Sequence, residues 1–339
     1  MTATPLRILL TAGVVVPAAL LALATVSATP PTRAVTGDHA TVHLATGDMT
    51  RVLQAAEAVT TSTPRDELVA EGRKLFRSTS MATAGESCQT CHTEGSATAN
   101  LGTIPHPRAD IANDFTGPRD APALWGIAKT APYFWNGDVL TLQEAATTAV
   151  INHFDDFVRG SCQATNGDVN GPRPAGCLEK AGRLGASIRA YLEQLDPPVS
   201  RFDQGTLTEP AQRGEAFFQG KGGCISCHGG PQFTDNLIHD TGVPKTSPRD
   251  TDPGAGPPPL PAGCRVVPQP AGCSVPVTKG PFINTPQLRD LKHTAPYMHN
   301  GVFKTLHEVV AFYNKTSLLS PMNLTDAEMD DLVAYLSEL

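Results

Sequence analysis

The chain has 339 residues, enough for two or three domains, and its net charge of -7 argues against a nucleic-acid partner. Aromatic residues make up only 6%, while glycine and proline number 30 each. Large apolar side chains are therefore scarce, and a fold rich in loops is expected.

Residues 1–28 read as an export signal: Arg7 gives a short basic start, Ile8 to Ala24 is apolar, and Val26-Ser27-Ala28 is a small-residue cleavage site. The apolar run is long for a signal, so an uncleaved N-terminal anchor is the alternative, and no other stretch could span a bilayer. The mature protein is expected in the periplasm or another exported, oxidising location. Residues 29–60 are rich in Thr and Ala with no clear period and read as a flexible linker.

Two segments carry most of the chemistry, Cys88-Gln-Thr-Cys91-His92 and Cys224-Ile-Ser-Cys227-His228. Cys-x-x-Cys-His is the attachment signature of a c-type haem: both thiols add to the vinyl groups, and the histidine becomes the proximal iron ligand. A zinc ribbon would keep its Cys pairs ~15–20 residues apart, and a thioredoxin-type pair would not need the histidine. Two haem c groups make redox chemistry the expected function. They also supply the buried apolar surface that the side chains lack.

The rest of the chain repeats itself. Helices are expected over Asp66–Phe76 and Glu209–Phe218 ahead of the motifs, and over Leu184–Leu195, stopped by Pro197-Pro198, and from Thr325 to Leu339 behind them. Ala121 to Gly137 mirrors Thr285 to Gly301, with Thr-Ala-Pro-Tyr in both, and Thr141-Leu-Gln-Glu144 and Thr305-Leu-His-Glu308 come next as helix starts. The expected fold is all-α, two tandem cytochrome c-type domains over residues 61–199 and 200–339, each with one covalently bound haem c. Pro253 to Pro276 is an excursion rich in proline and glycine. Cys162, Cys177, Cys264 and Cys273 remain, and local disulfides Cys162–Cys177 and Cys264–Cys273 are the simplest pairing in an exported chain.

Both haem motifs, Gly223 to Asp235 and the twin Thr-Ala-Pro-Tyr segments together resemble the bacterial di-haem cytochrome c peroxidases and MauG, over nearly all of residues 65–339. The resemblance implies that hydrogen peroxide is reduced at the N-terminal haem. Electrons would be relayed through the C-terminal haem from a small cytochrome, a copper protein or a protein side chain. It places the sixth ligand of the second haem at Tyr313, with Met298 as the rival. Peroxidases of the family usually carry methionine there and MauG-like members tyrosine; a thioether favours ferrous iron and a phenolate ferric. Ala149 falls opposite Tyr313 in the first half, or Phe154 after a slip of slightly more than one turn. The family's distal histidine maps to Ala112, so an open face is expected at the His92 haem unless His106 reaches it. The family's glutamate maps to Asp155, the candidate general acid/base. Its glutamine maps to Ala145, a departure for which Glu144, His153 and Asp156 are candidate replacements. Trp135 matches the tryptophan between the haems, with His299 at the equivalent place in the second half. A calcium ion is implied at Asp120 and the carbonyls of Thr294 and Pro296, hard oxygen donors of the kind it prefers. The alternatives to a peroxidase are a MauG-like oxidase that modifies Trp or Tyr residues of a partner, and a non-enzymatic electron carrier.

Overall fold

The computed structural model describes residues 44–79, 85, 87–92, 120–137, 139–165, 171–246, 282–316 and 321–339. The export segment, His106, Ala112 and the Cys264–Cys273 pair lie outside them. The first half contains α1 (Thr46–Ser62), α2 (Arg65–Arg77), α3 (Cys88–Cys91), α4 (Leu142–His153), α5 (Asp155–Val158) and α6 (Cys177–Leu192). The second contains α7 (Glu209–Gln219), β1 (Ile238–Asp240), β2 (Phe282–Asn284), α8 (Leu306–Thr316) and α9 (Asp326–Ser337). No helix among the described residues is long and apolar enough to cross a membrane.

Local chemistry sets the helix starts. Thr141 Oγ1 accepts the Glu144 N–H at 3.2 Å, and the Glu144 carboxylate accepts the Thr141 N–H at 3.3 Å. Thr305 with Glu308, and Thr325 with Glu328, close the same reciprocal box. Because α4 and α8 begin at equivalent caps, Ala149 and Tyr313 occupy the same place on equivalent helices.

The halves repeat in their packing too. α2 crosses α6 at Gly72, where a Cβ would collide with the Ser187 carbonyl, and α7 crosses α9 at Gly214, where it would collide with the Asp331 carbonyl. One turn further, Phe76 meets Tyr191 and Phe218 meets Tyr335, each pair with ring centroids 5.2 Å apart. Each crossing lies in its own apolar cluster, one holding Ile151, Phe154 and Phe157, the other Phe233, Val310 and Leu332. Gly214→Ala gains up to ~1 kcal/mol of helix propensity, but overpacking against a backbone carbonyl costs about 1–3 kcal/mol, so a net loss of stability is expected. Urea unfolding checks it against Gly47→Ala in α1, where nothing lies within 4 Å of the added Cβ and stability should not fall.

The twin segments share one conformation. Both Ala-Pro bonds are cis, Phe134 and Met298 have φ of 65° and 70°, and bridges join Tyr133 to Val139 and Tyr297 to Phe303. Backbone hydrogen bonds connect the halves here: Asp120 N–H donates to His299 O at 2.7 Å, and Asn284 N–H to Trp135 O at 2.8 Å.

Three expectations change. Residues 46–62 form α1 rather than a linker: Val52 and Ala56 are buried, and the Val52 carbonyl packs on Gly182 of α6. Threonines around this short apolar stripe hid its period. α6 begins at Cys177, ahead of Leu184, and ends at Leu192, because Leu178 and Ala181 extend its apolar face. The fold is mostly helical rather than all-α. β1 and β2 pair antiparallel with His239 opposite Ile283, which satisfies backbone groups where the chain returns from the long excursion. Cys162 and Cys177 form a disulfide joining the loop after α5 to the start of α6.

Candidate haem sites and the cavity between the halves

Each Cys-x-x-Cys-His segment closes one turn: the N–H groups of His92 and His228 donate to the Cys88 and Cys224 carbonyls, both at 2.8 Å. The rings are then oriented from outside the motif. His92 Nδ1 lies 3.1 Å from Pro122 O and His228 Nδ1 lies 2.9 Å from Phe233 O. A carbonyl can only accept, so Nδ1 carries the proton in both rings, and in the neutral imidazole Nε2 is then the nitrogen that would ligate a metal. Burial holds the His228 imidazole below its ordinary pKa, which favours that neutral form. Cys88 and Cys224 pack at the edges of the two apolar clusters. Burial pushes their thiols up to about 12 and about 11, an environment for a neutral thioether rather than a thiolate. The residues present therefore fit haem c in both halves. The carbonyl partners at Pro122 and Phe233 escape a reading of the sequence, since a backbone acceptor leaves no residue-type signal.

Tyr313 is half-buried in α8 against the second cluster. Burial pushes its phenol up to about 12, and Thr241 hydrogen-bonds to it. Tyr313 and Cys224 of the second motif pack against the same apolar cluster. Met298 instead lines a cavity of about 130 Å³ together with Asp120, Trp135, Thr294 and Pro296. In that cavity Asp120 Oδ1 is buried without a hydrogen-bond partner, and burial pushes the carboxyl up to about 8. A buried carboxyl group with one oxygen left without a partner among the described residues fits a hard cation, which would offset the cost of ionising it. Trp135 sits at the wall between the halves, its indole N–H donating to Asp120 O at 2.7 Å and its ring edge-on to His299 at 6.4 Å.

The distal candidates of the first half divide. Glu144 is held in its capping box, and its twin Glu308 does the same in the second half, so its carboxylate has a structural task. Asp156 is held at 2.6 Å by Lys180 and at 2.7 Å by Ser161, and these bonds lower its pKa. Asp155 pairs with Arg159 at 2.6 Å, but the two side chains are 47% and 53% exposed. Such a pair is worth ~0–1 kcal/mol and does not pin the carboxylate. His153 ends α4 half-buried, and Ala145 and Phe154 are buried in the first cluster. Cys227, Asp235 and His239 also bring their donor atoms within 4.8 Å of one another, but Cys227 belongs to the haem motif.

Known proteins point the same way. A family model described as di-haem cytochrome c peroxidase, which also covers MauG, matches residues 66–165. The chain is 41% identical over 189 residues to the cytochrome-c peroxidase IdrP2 of Pseudomonas sp. (strain SCT), an alignment covering 51% of this chain and 50% of that protein. It is 30% identical over 315 residues to IdrP1, a cytochrome-c peroxidase of the same strain, covering 80% of each. Among solved structures, the di-haem peroxidase BthA from Burkholderia thailandensis, crystallised as a variant, is similar with a TM-score of 0.55 and 24% identity, covering 81% of this chain and 86% of that one. By its motifs, its fold and these relatives, the chain belongs to the di-haem cytochrome c peroxidase and MauG family of oxidoreductases.

Proposed function

We propose that this chain is an exported peroxidase built as two tandem cytochrome c domains, residues 61–199 and 200–339, that reduces hydrogen peroxide at the N-terminal site. The observation that carries the reading is the shared register of α4 and α8, which sets Ala149 where the second half has Tyr313. A methyl group cannot ligate iron, so the first site keeps a face for peroxide. When bound, the haems supply the iron centre for peroxide and a second redox centre that stores or relays electrons. Pro122 and Phe233 hold His92 and His228 in the tautomer that presents Nε2. Asp155, loosely held by Arg159, moves a proton between the peroxide oxygens, with His153 beside it. Trp135 lies on the route between the halves, and electrons come from a small cytochrome or copper protein.

Electron paramagnetic resonance and stopped-flow mixing with peroxide test the reading. A high-spin ferric signal and a rapid absorption change are expected. Low-spin signals from both haems with no response to peroxide would leave an electron carrier instead. The packing of Tyr313 and Cys224 against one apolar cluster favours a second reading, a MauG-like oxidase acting on Trp or Tyr residues of a partner protein. Rapid turnover of a reduced cytochrome supports the peroxidase; an oxidised state that persists without small donors supports the oxidase.

The orphaned Asp120 Oδ1 supports calcium bound by Asp120, Thr294 and Pro296. Chelation is expected to lower Tm by about 5 °C or more, since a ligand at ~100 Kd contributes about 2.7 kcal/mol and each kcal/mol shifts Tm by ~2–4 °C. Calorimetry with and without chelator checks it, and Asp120→Ala should abolish the difference.

A further inference from the structure

We infer that Trp125, Asp290 and His293 form a second outlet for oxidising equivalents, ending at a cavity where a small phenolic reductant gives up an electron and a proton. The inference rests on the peroxidase reading above. Trp125 Nε1–H donates to Asp290 Oδ2 at 3.3 Å, and the other oxygen, Oδ1, lies 2.6 Å from His293 Nδ1. Asp290 is buried, with 9% of its surface exposed, while the His293 side chain is 58% exposed. Asp290 and His293 both line a cavity of about 430 Å³, whose wall includes Pro198 and Val199. A chain of hydrogen bonds thus leads from an indole of the first half, through one carboxylate, to a solvent-accessible imidazole of the second.

The internal repeat shows that these residues are departures. The position equivalent to Asp290 is Gly126, and the backbone is left-handed at both, with φ of 58° and 60°. Glycine adopts that conformation most readily and aspartate is among the few other residues that tolerate it, so the second half keeps the turn and gains a carboxylate. The position equivalent to Trp125 is Arg289, which stacks on Phe202 and Phe233 and pairs with Asp203. The two departures meet each other across the halves. Trp125 also lies three residues beyond Pro122, whose carbonyl holds the His92 ring, a span of at most about 11 Å of chain.

The chemistry needs this arrangement. Removing one electron from an indole makes its N–H strongly acidic, and a carboxylate already bonded to that N–H can take the proton as the electron leaves. Trp125 passes one electron toward the first site, where peroxide is the terminal acceptor, and its Nε1 proton moves to Asp290 Oδ2. A phenol seated on Pro198 and Val199, with its hydroxyl toward His293, returns the electron. Asp290 gives its proton back to the indole, and the phenol's proton leaves through His293. Two phenols and one peroxide give two phenoxyl radicals and two waters: two O–H bonds and the O–O bond break, and two protons and two electrons are consumed with the peroxide. The cavity's volume is within the ~300–1,000 Å³ range of small-molecule sites, and Pro198, Val199 and Leu339 give it an apolar part among polar groups such as Arg201, Lys292 and Glu338, a mixed lining that suits a phenol's ring and hydroxyl.

Freeze-quench electron paramagnetic resonance on the two-haem protein, mixed with one equivalent of peroxide, tests this, together with guaiacol oxidation. A tryptophan radical is expected that disappears in Trp125→Phe, with guaiacol kcat/KM at least about tenfold lower. Asp290→Asn keeps the left-handed backbone and the hydrogen bond but cannot take the proton. Its radical should stay protonated, with an N–H coupling that vanishes in heavy water. An undiminished radical and unchanged guaiacol oxidation in Trp125→Phe overturn the inference while the peroxidase reading stands. A parent protein whose haem absorption ignores peroxide overturns both.

Discussion

Replacing His92 with alanine should end peroxide reduction, with turnover lower by about a thousandfold or more while the haem stays attached through Cys88 and Cys91. Attachment and ligation are separable in this segment. The Cys88 side chain sits at the edge of the apolar cluster, and the imidazole is aimed by the Pro122 carbonyl at 3.1 Å. Alanine removes the neutral nitrogen donor and leaves that carbonyl unpaired, which costs ~1–3 kcal/mol locally but does not touch α2, α4 or α6. His228→Ala makes the contrasting case. It should leave a first reaction with peroxide in place and slow the refilling of electrons, so a single turnover survives and steady-state turnover does not. Mass spectrometry for attached haem, followed by stopped-flow and steady-state assays, separates the two variants. If His92→Ala turns over peroxide within tenfold of the parent while His228→Ala fails to react even once, the sites have been assigned in the wrong order.

What the sequence made legible was local. Cys-x-x-Cys-His fixes a turn and a ligand within five residues, and Thr-x-x-Glu fixes a helix start within four, so both motifs and the starts of α4 and α9 could be placed directly. The same logic assigns Glu144 to the cap; its spacing from Thr141 already announces that task. The register of Ala149 against Tyr313 was legible because the twin segments repeat without a gap up to these helices. Illegible features depend on contacts between distant segments. Gly72 meeting Ser187 and Gly214 meeting Asp331 are visible only once the helices cross, although Gly-x-x-x-Phe in both α2 and α7 was available as a hint. Trp125 and Asp290 are 165 residues apart, and neither belongs to a motif that names the other. The orphaned oxygen of Asp120 is a property of a cavity, which no spacing encodes.

Tyr313→Phe is expected to convert the second haem's ferric signal from low-spin to high-spin, and to shorten the life of the peroxide-oxidised protein by about tenfold or more. α8 carries the phenol to the cluster that also packs Cys224, and Thr241 hydrogen-bonds to it. Burial pushes its pKa up to about 12 because a phenolate is costly in that setting. A ferric ion bound there would reverse the balance, as its charge would drive the phenolic proton off. Ligation by this tyrosine would therefore release a proton, so it should strengthen as pH rises and weaken as pH falls. The fold should survive the change, since phenylalanine fills the same volume and loses one hydrogen bond worth about 1 kcal/mol. Met298 is the control: it lines the cavity with Asp120 and Trp135, so Met298→Leu should leave the second haem's spectrum as it was. A spectrum that changes in Met298→Leu and stays constant in Tyr313→Phe would move the ligand to the thioether. The second centre would then favour ferrous iron, and the case for a protein-modifying oxidase would fall with the tyrosine.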